Sequence, residues 1–444
     1  MSTAHRALLV TGPALAATTL RPVRRPALFP SRAWPERAAL ACYAGLLAAS
    51  LSLGGAAEPT VYIGLALVIF LAGAMLSAFS TRPTQNASAL HRASLILAAA
   101  TAAFPFLQFA GSYVGLGLPA SAAPRESLLA GLRLASYVAL FAGLRFCLSD
   151  THLARRATAI LFAGLVGMAT TALWRYDPTL SPLGHAGLTG PLINRSAFAV
   201  LMGIGMCIGL AFASQPPHPR AHRPVFLLYR ATFCLGTALL FVALVQSQSR
   251  LGLISAVTAS GVIAALRAPR RAVMLAIAAA IVLAMAWITE GAELAARFSS
   301  LPKDLATRSA LYAQVWQMIL SAPLSGQGAG AFASAFEQVQ RPPVSPAFVW
   351  DKAHSTILGL WAEMGLVFGS LLPLAALLSA ISLARRFRRF GEAQALAALA
   401  ALALASVSAL GDFSLEFPAI AYFMITLIAC GIGPMAQARK DAYP

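Results

Sequence analysis

The residues best suited to chemistry in this chain are a histidine and a few arginines at the ends of apolar segments. His354 closes the stretch Trp350-Asp351-Lys352-Ala353-His354-Ser355-Thr356, and a long apolar run follows it. An imidazole with the ordinary pKa of about 6.5 is largely neutral near pH 7 and can accept a proton from a hydroxyl. The same position also suits a polar residue satisfied by water or lipid headgroups. Asp351 is the expected N-cap of the helix beyond, which puts His354 in its first turn. Arg195, in Leu192-Ile193-Asn194-Arg195-Ser196, and Arg250, in Gln246-Ser247-Gln248-Ser249-Arg250, stand at the mouths of apolar segments in the same way. A guanidinium offers a planar donor fork that fits phosphate oxygens two at a time. Arginine at membrane depth is costly and is usually paired or functional, with a snorkelling anchor as the competing role. Arg308, one turn before Tyr312, is a third candidate of this kind.

Two acids lie at or within apolar segments and need partners there: Glu363 in Trp361-Ala362-Glu363-Met364-Gly365 and Asp412 in Leu410-Gly411-Asp412-Phe413-Ser414. Glu363 falls about two and a half turns beyond His354, on the opposite side of an ideal helix, so it is expected to pair elsewhere in the bundle. The other acids form no paired-carboxylate cluster of the kind a divalent cation requires, and no metal site is expected. Gly326-Gln327-Gly328-Ala329-Gly330 looks like a phosphate cradle, but it lacks the G-K-[ST] ending and no strand precedes it. A tight turn after Pro323 is expected instead. The cysteines, Cys42, Cys147, Cys207, Cys234 and Cys430, lie in apolar stretches without C-x-x-C spacing and read as small buried hydrophobes.

What must position these groups is a membrane-embedded helical scaffold. Hydrophobic residues make up 59% of the 444 and charged residues only 11%, against about 25% charged in a soluble domain. With a mean hydropathy of +0.73, this composition excludes a soluble globular enzyme, a disordered chain and a fibrous repeat. It predicts an all-α polytopic membrane protein of about twelve spans. Apolar runs of spanning length lie near 38–54, 60–79, 92–111, 127–147, 156–174, 196–214, 224–246, 250–266, 272–289, 354–383, 393–410 and 417–436. The organisation that follows is a basic tail over 1–37, nine spans over 38–289, a long outer segment over 290–353, three spans over 354–436 and a second tail over 437–444. Within the outer segment Leu305, Tyr312, Val315, Trp316 and Ile319 share one helical face, and Pro323 ends the pattern. That is an amphipathic helix expected at the outer membrane surface.

The net charge of +18 would point to nucleic acid on a soluble protein, but here its distribution has another origin and no nucleic-acid partner is expected. Arg6, Arg21, Arg24, Arg25, Arg32 and Arg37 precede the first span. Arg82, Arg155, Arg156, Arg220, Arg267, Arg270, Arg271, Arg385, Arg386, Arg388 and Arg389 fall in or beside alternate short loops. Basic short loops lie on the cytoplasmic side, so both termini are expected inside and the segment bearing Arg308 and His354 outside.

Several segments resemble those of bacterial O-antigen ligases and related polysaccharide polymerases. RSALYAQVWQMILSAPLSGQGAGAFASAF, from Arg308 to Phe336, is similar to the family's signature of Arg, Trp, Pro and spaced glycines. AHSTILGLWAEMGLVFG, from Ala353 to Gly369, is similar to the helix that follows it, SQSRLGL around Arg250 to an S-R-G motif, and GDFSLEFPA near Asp412 to the stretch before the last helix. Together these cover about residues 190–436 in the family's order. The departures are Ser355 where Asn is common after the histidine, and Leu251 where Gly often follows the arginine. Neither removes a proposed functional group.

The resemblance implies a membrane glycosyltransferase of the C-type (GT-C-like) helical architecture at the periplasmic face of a bacterial inner membrane. Its donor would be a glycan on undecaprenyl pyrophosphate and its acceptor a sugar hydroxyl of lipid A-core, with no nucleotide, metal or other cofactor. His354 would then be the base, Arg195, Arg250 and Arg308 the pyrophosphate ligands, and Glu363 and Asp412 supporting groups. Transfer by in-line attack would invert the anomeric centre. Within the same family, a polymerase that joins repeat units remains an alternative to the ligase. A twelve-helix transporter or flippase is the reading from another class, weakened by the lack of a clear repeat between the halves and the scarcity of mid-span acids. Oligomeric state is open.

Overall fold

A computed structural model describes residues 34–80, 88–114, 117–148, 150–176, 187–216, 222–267, 301–347 and 349–433. Within them the chain forms thirteen α-helices and no strands. These are α1 (Trp34–Ser52), α2 (Pro59–Phe79), α3 (Ala89–Val114), α4 (Pro124–Cys147), α5 (Thr151–Trp174), α6 (Arg195–Ala213) and α7 (Arg223–Gln246). There follow α8 (Arg250–Arg267), α9 (Leu301–Ser321), α10 (Phe332–Val339), α11 (Thr356–Phe390), α12 (Ala393–Gly411) and α13 (Pro418–Ile432). Among the described residues, nine helices are long and apolar enough to cross a membrane: α2 to α8, α11 and α12. The expected span at 272–289, the segment 290–300, residues 1–33 of the basic tail and all of 434–444 lie outside the described residues.

The helices begin where the local chemistry allows. Proline opens α2, α4 and α13 at Pro59, Pro124 and Pro418, where its missing N–H would have no intrahelical partner. Asp150 caps α5 by accepting from the His152 N–H, and Asn194 caps α6 by accepting from Ser196 and Ala197. Leu67, Leu71, Ile160, Leu228 and Leu235 are exposed on the outer helix faces. Such side chains are a liability in water and ordinary in lipid. Cys42 and Cys234 share that outward exposure, so only Cys147, Cys207 and Cys430 are the buried hydrophobes expected of all five.

The centre of the bundle is α6, packed against α5, α7, α8 and α12. Every residue from Ala197 to Gly209 is buried. Close approach there depends on small residues: a Cβ on Gly205 would lie 2.8 Å from Leu240 Cδ1, and one on Gly203 would collide with Leu404. Its partner α12 is alanine-rich and buried over Ala393 to Ala398.

Beside this bundle, α9, α10 and the described chain over 340–347 and 349–354 pack onto the first half of α11 through Leu311, Val315, Met318, Ile319, Phe332, Phe336 and Val344. The amphipathic pattern is thus realised as α9, with Leu311 and Met318 taking core positions and Trp316 left 42% exposed. α11 is broken rather than continuous. Gly365 has φ 72° and ψ 169°, a conformation open to glycine and strained for other residues. The break frees the carbonyls of Ala362 and Glu363, which accept from Gln327 N–H (2.9 Å) and Gly328 N–H (2.9 Å). Buried Gln108 on α3 adds a third donor, 2.8 Å from the Glu363 carbonyl, while its own Oε1 accepts from Ala329 N–H. The glycine stretch 326–330 therefore repairs a helix break. Non-helical backbone among spanning helices is tolerated only where neighbours satisfy it in this way.

Candidate functional site

Three helix starts converge at one end of the bundle, each prepared by a cap. Asn194 holds the first turn of α6, with Arg195 as its first residue. The joint between α7 and α8 is only three residues long. There the Ser249 N–H donates to Ser247 Oγ, the Gly252 N–H donates to Ser249 Oγ, and Arg250 opens α8. Ser249 Oγ donates to Ser196 Oγ at 3.4 Å, so the starts of α6 and α8 are neighbours. The third start, that of α11, is capped by Ser355, whose Oγ accepts from the Leu358 N–H. Asp351 is therefore not the N-cap. Ser355 takes that role because its Oγ also donates to the Ala409 carbonyl, while Thr356 donates through N–H and hydroxyl to the Asp412 carbonyl. This docks the start of α11 on the end of α12 and leaves His354 just outside the helix.

His354 is held from several directions. Its φ is 53°, in the left-handed region. Tyr312 on α9 donates to its carbonyl at 2.9 Å. Its ring meets Trp350 and Phe413 edge-on, with centroids 5.8 and 5.2 Å away. The non-glycine residues with positive φ among the described residues are Ala56, Ile193, Gln248 and His354. Ile193, Gln248 and His354 all line the opening described next, and Ala56 adjoins it. Such conformations cost about 1–3 kcal/mol each and gather at functional sites.

A cavity of about 540 Å³ is lined by Arg195, Gln248, Arg250, Arg308, His354 and Asp412, among others. A second lobe of about 640 Å³ shares Arg195, Arg308, His354 and Asp412 with it and extends past Asn194 to Phe413 and Phe417. Arg308 is steadied by donating from Nη1 to the Gly411 carbonyl at 2.6 Å, and Asp412 accepts from the Ser414 hydroxyl. Three guanidiniums and the positive ends of three helices thus face a lining in which, among the described residues, Asp412 is the only carboxylate. Such an arrangement suits an anion. Burial first, and then the charge of Arg308, push the His354 imidazole below its ordinary value, with Asp412, Asp351 and Glu416 opposing. At neutral pH the ring is therefore neutral and able to accept a proton.

Of the residues singled out from sequence, the structure brings together His354, Arg195, Arg250, Arg308 and Asp412. Glu363 is not among them. It lies with Lys352, Glu416 and Arg133, whose charges act on one another. Lys352 Nζ is 2.7 Å from Glu416 Oε2. Burial works against the ammonium, but Glu416 and then Glu363 outweigh it and hold its pKa above the ordinary lysine value. Lys352, Tyr312, Trp350 and Phe413 were not among the residues singled out from sequence. Only Tyr312 carried a local signal, as a polar-tipped aromatic one turn from Arg308.

No curated protein matches the chain. Residues 235–372 match the family model for O-antigen ligase, a stretch that contains Arg250, Arg308, His354 and Glu363 and excludes Arg195 and Asp412. Over that segment the chain is similar to the O-antigen ligase family.

Proposed function

We propose that this protein is a membrane glycosyltransferase of the C-type helical architecture that transfers a glycan from undecaprenyl pyrophosphate to a sugar hydroxyl of lipid A-core. The reaction takes place at the periplasmic face of the inner membrane, with both termini cytoplasmic. The observation that carries the reading is the single cavity shared by a neutral-leaning histidine and three arginines from separate parts of the chain. His354 takes the proton of the acceptor hydroxyl as its oxygen attacks the anomeric carbon. The bond from that carbon to the pyrophosphate oxygen breaks on the opposite face, so the centre inverts. The leaving pyrophosphate keeps the electron pair. It needs charge stabilisation more than protonation, and Arg195, Arg250 and Arg308 supply fixed donors for it. Asp412 carries its share by fixing Thr356 and the start of α11, and Glu363 by holding the charged cluster behind it. This division of labour asks nothing of a nucleotide or a metal.

The test is transfer by the purified protein in detergent, given lipid-linked glycan and lipid A-core. Wild type is expected to cap the core, and His354→Ala to lose that activity. Wild-type rates in His354→Ala would remove the reading. Transfer onto a second lipid-linked glycan in place of the core would convert it to the polymerase reading.

A further inference from the structure

Lys352 and Glu416 are distant in sequence, yet each is tied to the surroundings of His354. Lys352 lies two residues before the histidine, on the turn whose backbone is left-handed at His354. Glu416 ends the 3-10 turn Ser414–Glu416, which follows Asp412 and Phe413. Phe413 is the ring against His354, and Asp412 is the residue on which the start of α11 is docked. The pair is 2.7 Å long, and its side chains are 26% and 21% exposed. Glu416 also backs onto α11, since a Cβ on Gly359 would lie 3.6 Å from its Oε1. The ion pair therefore closes a ring of contacts: the His354 turn to Glu416, Glu416 to Phe413, and Phe413 back to the imidazole. Phe413 and His354 line the arginine-lined cavity, whereas Lys352 and Glu416 are not in its lining.

Resting on the catalytic reading above, we propose that the Lys352–Glu416 ion pair is the positioning element for His354, pinning its strained turn and fixing the charge that the imidazole faces. The charged groups around that imidazole are Arg308 from α9, Asp412 from the end of α12, Asp351 on its own segment and Glu416 from the 3-10 turn, with Arg195 and Arg250 across the cavity. Glu416 is the one whose field is set by a partner outside the cavity. Breaking the pair from its two ends must then move His354 in opposite directions. Glu416→Gln removes a carboxylate that favours the imidazolium and exposes the ammonium. Lys352→Gln leaves that carboxylate unneutralised. Loss of structure alone would not produce opposite signs.

The experiment uses the full-length protein in detergent and reads carbethoxylation of His354 by peptide mass spectrometry across pH 5 to 8, which requires no glycan substrate. The midpoint is expected to fall in Glu416→Gln and to rise in Lys352→Gln, each by about 0.5–1 pH unit. In Lys352→Arg, which keeps the pair, it should stay at the wild-type value. Transfer assays on the same variants should show kcat down about 10- to 100-fold in the first two with KM little changed, and recovered in Lys352→Arg. Equal midpoints in all variants, shifts of the same sign, or no recovery in Lys352→Arg overturn the inference. The two glutamine variants break the pair independently, so misfolding of one leaves the other to decide. Because the titration is read without turnover, failure of His354→Ala to lose activity would sink the catalytic reading separately.

Discussion

Around Arg195, Arg250 and Arg308 the protein gathers three guanidiniums with one carboxylate, Asp412, in the wall of an open cavity. Around Lys352 it sets two cations, Lys352 and Arg133, against two carboxylates, Glu416 and Glu363, behind the same histidine. The two clusters share the problem that charge in or near a membrane is costly without a partner. The second solves it internally, by near-neutral pairing, and so can serve structure. Among the described residues the first brings more guanidiniums than carboxylates to an opening, beside three helix starts, an arrangement that suits an anion.

The largest expected effect tests His354, the proposed base, which lies between the two clusters. His354→Ala should lower glycan transfer by about 10²–10⁴-fold, the range for loss of a general base, with helical content by circular dichroism unchanged. Retained activity would leave the imbalance without chemistry attached to it. A smaller effect separates a fork from a point charge. Arg250→Lys keeps the charge at the start of α8 but loses paired donors, and kcat/KM for the lipid-linked donor should fall about 10- to 100-fold. If lysine serves equally well there, the cavity attracts its ligand by net charge and not by shaped hydrogen bonds.

How far these regions were legible in the sequence follows the range of the forces involved. Hydropathy is local, so the apolar runs near 60–79, 92–111 or 224–246 each hold a helix close to the expected bounds. Arg195, Arg250, His354 and Asp412 stood out because costly or reactive groups sat at the ends of such runs, and Arg308 because it lies one turn from Tyr312 on the amphipathic segment; both are local properties. The choice of Ser355 over Asp351 as cap was not legible. Both can cap, and the decision came from carbonyls on α12 that sequence does not reveal. Nor was the break in α11, since a glycine within an apolar run reads as an ordinary helical residue until Pro323 and the 326–330 loop supply its missing bonds. The Lys352–Glu416 pair joins segments far apart in the chain, and no local pattern announces it.

That broken helix offers a test on the structural side of the comparison. In Gly365→Ala the added Cβ would meet the Leu324 carbonyl, and lies 2.9 Å from the Pro323 oxygen, at a φ of 72°. The expected cost is about 1–3 kcal/mol of stability, read as a lower thermal transition in detergent. Since Gly365 touches neither arginine nor histidine, transfer per folded molecule should change far less than in Arg250→Lys. A large loss of turnover without a loss of stability would mean that the break itself participates in catalysis.

The smallest effect concerns what sets the histidine's titration. As base, His354 must be neutral, so activity is lost as pH falls through its pKa. Burial is the main cause of its depression below the ordinary 6.5 and Arg308 the next. The acid limb of kcat/KM should accordingly lie below pH 6.5 in the wild type. Arg308→Gln removes the second cause and leaves the first. The limb should therefore rise by less than about one unit and still stay under the unperturbed value. Total activity will also fall, because Arg308 faces the proposed pyrophosphate, but the position of the limb is independent of its height. A limb that moved down, or past the ordinary histidine value, would mean that Arg308 does not act on His354 in the way its place in the cavity wall implies.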